Sequence, residues 1–497
     1  MNDKVVHSGA GSETRTAKPA GRRLRLPFVI AGKNIAAVPG EEQLVEAPGG
    51  VVAMPGIGLL DDILPLSENL LADVSTQDII SFLHRVGKMW ESDEYIRRRI
   101  YIKQMCEFTG YSEQMATAEA DLIAATLRGG ARLWDTLQAE LGDRAILDQW
   151  VRREDCEVRA LPKGLVVHVL AGNVPIAAVL SVLRSLLTRN QTIVKVASGD
   201  PVTATQLALS FLDLDAQHPV SRSLHTLYWP NNSRAGASIV EHADGVCVWG
   251  GADAVAWAHR HARPGVDVVT FGPKRSFSVI RADAGDDIKT AARLVAHDIS
   301  MYDQQACFST QHVFVLGDCT AFAAALADAL EHSRKIIPPP LRNIDQAAAV
   351  RLTRSHHEFF GAAIACAEDG AWQVIVASPE HVHRHPGART ALLHPIENFD
   401  DVYAAVDKSV QTVAAHPWSM LQPHRDRLAK LGVSRLVEAG LSGTFRLGAS
   451  HDGFYPLARL VRFVSIEAPS SVHSKGMTMA LDMSKIVEHR QFRDLFV

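Results

Sequence analysis

From residue 164 onward, short apolar runs alternate with segments whose apolar residues recur three or four positions apart. GLVVHVL (164–170), QTIVKVA (191–197), LHTLYWP (224–230), GVCVWGG (245–251) and DVVTFG (267–272) read as strands. Between them, 175–188, 200–214, 233–243 and 252–262 read as helices. This alternation predicts a mostly parallel α/β sheet. A second series begins near residue 276 with SFSVIRAD and runs through HVFVLGD (312–318), WQVIVAS (372–378) and TALLHPI (390–396). The expectation is two α/β units that meet near residue 272. HSRKIIPPPL marks a loop by its three consecutive prolines.

Residues 60–140 read mostly as helices. In DVSTQDIISFLHRVGKMW, Ser75 and Asp78 have capping-box-like spacing, and Ile79, Phe82, Leu83 and Val86 share a face. ADLIAATLRGGARLWDTLQAEL repeats the pattern. LDQWVRREDCEVRA (147–160) mixes charges with Val and Trp in partial alternation, as in an exposed hairpin. The polar N-terminus, with GRRLRL and the short apolar LPFVIA, reads as a flexible arm over 1–45. LPFVIA is too short for a secretory apolar region of about 7–15 residues. Leu165 to Leu183 carries no formal charge and is long enough to raise the question of a membrane span. AGNVP (171–175) would put polar groups and a proline at mid-bilayer, so a buried strand, a turn and a buried helix are expected instead.

Composition narrows the field. The 497 residues are 47% hydrophobic and 21% charged, an ordinary globular balance with room for two or three domains. A net charge of −4 argues against a nucleic-acid or anionic-membrane partner. Six cysteines, at 106, 156, 247, 307, 319 and 366, form no CxxC pair or tight cluster. They read as reduced thiols of a cytoplasmic protein. No HExxH or other paired spacing appears among the histidines, so no metal site is expected.

One cysteine stands apart. In MYDQQACFST (301–310), Cys307 has Gln304 and Gln305 before it and Ser309 and Thr310 after it, unlike a core thiol among apolar neighbours. Cys247, Cys319 and Cys366 lie in strand-like or alanine-rich helical text and read as packing residues. There is no GxGxxG and no Walker A loop, and Gly250-Gly251 after VCVW is by itself only a tight strand-to-helix turn. HVLAGNVP (168–175) places the amide of Asn173 at a strand end before a proline-started helix. TIVKVAS (192–198) ends a strand at Lys195.

Taken in chain order, HVLAGNVP, TIVKVAS, VCVWGGA and DQQACFS resemble the PWNxP, KPSE, FTGS and GQxC motifs of the aldehyde dehydrogenase superfamily. The likeness is closer to the LuxC-type acyl-CoA reductases, the fatty-acid reductases of bacterial luminescence, through YDQQACFS, SHDGFYPLARLVRFV (450–464) and EYIRRRIYIKQMCEFTGYS (94–112). It spans roughly residues 75–465. The resemblance implies an aldehyde-dehydrogenase-like α/β fold. Its parts would be a Rossmann-type cofactor-binding domain over 46–271 with a hairpin arm at about 146–160, a catalytic domain over 272–458, and a C-terminal strand and tail over 459–497. It implies Cys307 as nucleophile and Asn173, with the Cys307 backbone N–H, as donors to the oxyanion. Lys195, Ser198, Gly250, Gly251, Thr270 and Gly272 would hold the cofactor.

Departures from the family patterns sharpen this. Hydrolytic aldehyde dehydrogenases carry a glutamate in ELGGK that activates water; the text here is TFGPK (270–274), with Thr270 in its place. Without that base, water attack on an enzyme thioester is slow, which suits a reductase. Ser198 replaces the KPSE glutamate and removes its repulsion of a 2′-phosphate, while Lys195 offers a cation, so NADPH is the expected donor. The EIFGP glutamate has no counterpart in HRHPGART (383–390). His451 and Asp452 in SHDGFYPL line the substrate funnel, act as acid toward the departing thiolate, or hold a loop together. The substrate would be a long-chain acyl-CoA or an acyl-carrier thioester reduced to the fatty aldehyde, with room for an acyl-protein synthetase or transferase partner. Hydrolytic aldehyde oxidation and a catalytically inactive cofactor-binding subunit are the alternatives. Superfamily members pair through the hairpin and a late strand, here RLVRFVSIE (459–467), so a homodimer or homotetramer is expected, burying Trp150, Val151 and Val158.

Overall fold

Leu165–Val169 is buried at every position, as a central parallel strand requires. In a computed structural model that describes residues 22–59, 69–153, 156–283, 286–378 and 385–467, this strand is the third of a seven-stranded sheet. Gln191–Lys195 pairs with it in parallel on one side and Gly245–Trp249 on the other. Leu224–Leu227 extends the first side and Asp267–Phe271 the second. The chain therefore works outward in one direction, then crosses back. The reversal opens a crevice at the carboxyl ends of Leu165–Val169 and Gly245–Trp249, where open α/β sheets take ligands. The uncharged stretch resolves into a strand, a turn and the helix Ile176–Leu187, and no helix among the described residues is long and apolar enough to cross a membrane.

The N-terminal arm is corrected by the structure. Residues 1–21 lie outside the described residues, but Phe28–Ile30 pairs antiparallel with Leu224–Leu227, and Lys33–Ile35 adds the next strand. Arg23–Arg25, Gly50–Met54 and Gln43–Ala47 form a separate small sheet. Phe28, Val29 and Ile30 are at most 1% exposed. Burying each such side chain contributes about 1.5–3 kcal/mol, enough to order the segment. Three-residue strands are too short to leave a periodicity in the sequence. The helix Thr76–Glu91 starts as expected: Ser75 Oγ accepts from the Asp78 backbone N–H at 3.1 Å. Its hydroxyl also donates to the Asp78 carboxylate at 2.7 Å, so the reciprocal half of the box is a side-chain contact.

The second sheet has the order 363–366, 373–376, 390–396, 310–317, 275–282, 410–416, 435–438, all parallel except the first pair. A fourth sheet, of three strands, joins Val151–Arg153, Cys156–Pro162 and Val461–Ile466. The hairpin and the late strand thus meet within one chain. Val158, expected to need a partner, is 6% exposed against its own chain, which corrects that part of the oligomer argument. Trp150, Phe463 and Ile466 stay exposed, at 36%, 45% and 42%.

Candidate active site

Asn173 sits in the turn between the central strand and the helix that starts at Ile176. The turn is pressed against the loop that follows Lys195: a Cβ on Gly172 would lie 2.6 Å from the Asp200 nitrogen, so only glycine fits there. Asn173 Nδ2 donates to the Gln305 carbonyl at 2.8 Å, and the Tyr111 hydroxyl donates to the Asn173 carbonyl at 3.3 Å. An amide has two N–H groups. One is fixed on the Gln305 carbonyl, and the residue lines the cleft, so the second N–H is left for another acceptor.

Cys307 follows a strained loop. Tyr302, Asp303 and Gln304 all have positive φ, at 53°, 50° and 65°. Left-handed backbone at a non-glycine residue costs about 1–3 kcal/mol and persists only where the surroundings over-determine it. Here they do. Tyr302 donates its hydroxyl to Glu119 Oε2 at 2.8 Å. Burial pushes the Glu119 carboxyl up to about 8. Asp303, fully buried, accepts from Arg342 at 3.0 and 3.1 Å and from Arg389 at 3.1 Å. Gln304 donates to the carbonyls of Thr310 (2.6 Å) and Thr390 (2.7 Å) and accepts from the Thr390 N–H (2.8 Å). The result is a thiol delivered at the amino end of the strand Thr310–Gly317, facing the carboxyl ends of the first sheet.

The sulfur is half-buried. Burial, with the Asp452 charge adding to it, pushes the Cys307 thiol up to about 11. The Gln411 amide at 3.3 Å and the backbone N–H groups of Cys307 and Phe308 oppose that rise. The side chain therefore rests as a thiol at neutral pH. Ser276 Oγ donates to the Cys307 carbonyl at 2.7 Å and fixes the backbone beneath it.

Both residues open onto one cleft of about 390 Å³, lined also by Gly250, Gly251, Gly272, Trp249, Phe271 and His451. Its apolar wall includes Ile176, Leu180, Phe308 and Phe445. Trp249 and Phe271, at the ends of adjacent strands, stack at 3.9 Å and 8°. His451 packs on Phe445, and burial pulls its imidazole down to about 3, so it is neutral. Among the described residues, no Asp or Glu lines this cleft.

The remaining candidates divide. Gly250, Gly251 and Gly272 line the cleft; Thr270, Lys195 and Ser198 do not. A Cβ added at Gly251 or Gly272 would meet no atom within 4 Å, so both present bare backbone to open space, as a bound dinucleotide requires. Lys195 ends its strand 9% exposed, with Nζ 3.4 Å from Asn231 Oδ1 and 5.6 Å above the Tyr228 ring; burial lowers its pKa. Ser198 is exposed in the loop beyond. These residues fit a nicotinamide dinucleotide along the crevice. Of HRHPGART, 383 and 384 lie outside the described residues, and Arg389 is turned inward to Asp303. Among the packing cysteines, Cys247 and Cys319 are buried, whereas Cys366 is exposed on a strand rather than in a helix. No cluster able to hold a metal occurs among the described residues.

Sequence reasoning missed Gln411, which reaches Cys307 across 104 residues, and the Asp303–Arg342–Arg389 anchor. The signals were faint: one amide inside the apolar strand VQTVAAH, and an acid two residues before QAC.

A two-sheet α/β chain that brings a cysteine and an asparagine amide together at a strand-reversal crevice has the aldehyde dehydrogenase fold. Solved structures agree: NADP-dependent glyceraldehyde-3-phosphate dehydrogenase from Bacillus halodurans C-125, complexed with NADP, matches with a TM-score of 0.68 at 14% identity, covering 89% of this chain and 99% of that one. Aldehyde dehydrogenase C from Pseudomonas syringae, a mutant complexed with NAD+ and octanal, gives 0.68 at 14%, covering 89% and 97%. Within that fold, the chain belongs to the family described as acyl-CoA reductase (LuxC), which matches residues 71–463. It is 40% identical over 431 residues to the long-chain acyl-protein thioester reductase of Vibrio harveyi, covering 86% of this chain and 90% of that protein. It is 38% identical over 477 residues to the protein of the same name from Photorhabdus luminescens, covering 94% and 98%.

Proposed function

We propose that this protein reduces a long-chain fatty acyl thioester, carried on CoA or on a carrier protein, to the fatty aldehyde with NADPH, through an acyl-Cys307 intermediate. The observation that carries the reading is the composition of the cleft: Cys307 and Asn173 face one space that, among the described residues, no carboxylate lines. Cys307 attacks the acyl carbon and the carrier thiolate leaves. The free N–H of Asn173 and the backbone N–H of Cys307 take the oxyanion of each tetrahedral state. Gly250, Gly251 and Gly272 would hold the dinucleotide, which would supply the hydride that reduces the acyl carbon. The apolar wall excludes water and receives the chain. With Thr270 in place of a general base, hydrolysis of the acyl-enzyme is slow and reduction is the productive exit. Relatives named long-chain acyl-protein thioester reductases support the thioester class. An assay of NADPH consumption across acyl-CoA chain lengths, with the aldehyde identified as product, tests the reading; a carboxylic acid released from the acyl-CoA with no NADPH oxidised would overturn it.

For the cofactor, NADPH is expected to exceed NADH in kcat/KM, and Lys195→Ala to reduce the preference. A charge-assisted contact with a partly exposed phosphate is worth about 1–3 kcal/mol. Equal kcat/KM for the two cofactors in the unmodified protein would remove this assignment.

Pairing of two copies across the three-stranded sheet, as a homodimer or a dimer of dimers, is part of the same proposal. Trp150, Phe463 and Ile466 are exposed on it, and its outer strands have free edges that favour a symmetric partner. Light scattering is expected to give at least twice the 54.1 kDa of one chain; a monomer mass at micromolar concentration contradicts the pairing.

A further inference from the structure

Acyl transfer to a resting thiol needs a proton acceptor, and among the described residues none that lines the cleft is an acid. Gln411, beside the sulfur, supplies a route to one. The side chain is 1% exposed, and its Nε2 lies 3.3 Å from Cys307 Sγ and 2.6 Å from Asp452 Oδ1. A single NH2 group therefore holds the sulfur and a carboxylate on either side of it. Asp452 is aimed there by a tight turn: His451 and Phe454 exchange backbone hydrogen bonds at 2.8 and 3.1 Å, with φ of 50° at Asp452 and 89° at Gly453. Asp-Gly suits such a turn because both central residues are left-handed. The Asp452 side chain is 5% exposed.

We propose that Asp452 is the proton acceptor of Cys307, with Gln411 as its positioning residue; the proposal rests on the acyl-transfer reading above. As the Cys307 Sγ–acyl bond forms and the acyl–carrier sulfur bond breaks, the thiol proton passes to the Asp452 carboxylate, directly or through one water. The carrier leaves as thiolate and takes its proton from solvent. After hydride transfer from NADPH, the thiohemiacetal collapses to aldehyde and Cys307 thiolate, which recovers the proton from Asp452. One solvent proton is consumed per turnover.

The surroundings suit this role. The titratable and charged groups facing Asp452 are Cys307 beyond Gln411, His451 with Nε2 at 4.0 Å, Lys274 and Arg184. Burial raises the Asp452 carboxyl above its ordinary value, the direction that strengthens a base, and the Gln411 hydrogen bond and the two cations limit that rise. His451, held neutral near 3, is the weaker base. Gln411 Oε1 is buried without a partner among the described residues. Rotating the amide lets this oxygen accept from protonated Asp452, in exchange for the present Nε2 contacts to Cys307 Sγ and Asp452 Oδ1. Asp452 does not line the cleft, so it serves the sulfur without activating water at the acyl carbon.

The test is Asp452→Asn in the full-length protein, read by two rates. Single-turnover labelling of Cys307 by radioactive acyl-CoA, without NADPH, is expected to slow by about 10²-fold or more and to lose the acidic limb of its pH profile. Alkylation of Cys307 by iodoacetamide at pH 7.5 is expected to speed up, because a negative charge that raises the thiol pKa is gone. Asp452→Glu is expected to restore part of the labelling rate. A structural role predicts that both rates fall together. That result, or labelling at the unmodified rate, overturns the proposal. An unmodified protein that takes no acyl label overturns the acyl-transfer reading itself.

Discussion

Replacing Cys307 with alanine is expected to abolish both aldehyde formation and acyl labelling of the protein. The thiol sits where no neighbour can substitute for it. Cys247 and Cys319 are buried elsewhere, Cys366 is exposed on an edge strand, and none of them lines the cleft. His451 does line it but is held neutral against Phe445, far from the reactivity of a thiolate. Removing a nucleophile from covalent catalysis leaves only binding and oxyanion stabilisation, so the loss should reach the detection limit of the assay. Intact-mass analysis after incubation with acyl-CoA is the direct measurement. A mass increment that persists in Cys307→Ala and disappears in Cys319→Ala or Cys366→Ala would move the nucleophile.

Asn173→Ala is expected to lower kcat by about 10²–10³ while leaving NADPH affinity nearly unchanged. This is the usual cost of removing one oxyanion donor, and it falls on the transition state alone. The substitution also frees the Gln305 carbonyl, at a cost of about 1 kcal/mol in stability. That is small beside the roughly 3–4 kcal/mol in activation energy that the rate loss represents. Comparing steady-state kinetics with the thermal midpoint separates the two: unchanged kcat with a lowered midpoint would leave Asn173 as a turn residue only.

The parallel strands were legible because burial on both faces fills their centres with β-branched apolar residues, as in Leu165–Val169 (LVVHV) and Gln191–Lys195 (QTIVK), both buried throughout. Asn173 and Cys307 were legible because each is a polar or reactive residue where a packed chain would place an apolar one. The strand Phe28–Ile30 was not, because three residues carry no period and their partner is nearly 200 positions away. Gln411 and Asp452 escaped as a pair for the same reason: only the closed second sheet and the turn at 451–454 bring them to one sulfur. The Asp303 anchor depends on Arg342 and Arg389, which the text around them presents as a proline loop and a polar connector.

That anchor has a consequence for biosynthesis. Cys307 leaves the ribosome long before Arg342, Arg389, Gln411 and Asp452 exist to hold its loop and shield its sulfur. Until the last of them arrives, the cysteine lies in a polar segment with no reason to adopt three successive left-handed residues, and its thiol titrates like any solvent-exposed one. The nascent chain is thus most open to disulfide exchange and oxidation during translation, and least so once complete. A chain halted after residue 400 would carry the QAC motif without the chemistry, and its cysteine would react with iodoacetamide faster than that of the finished protein.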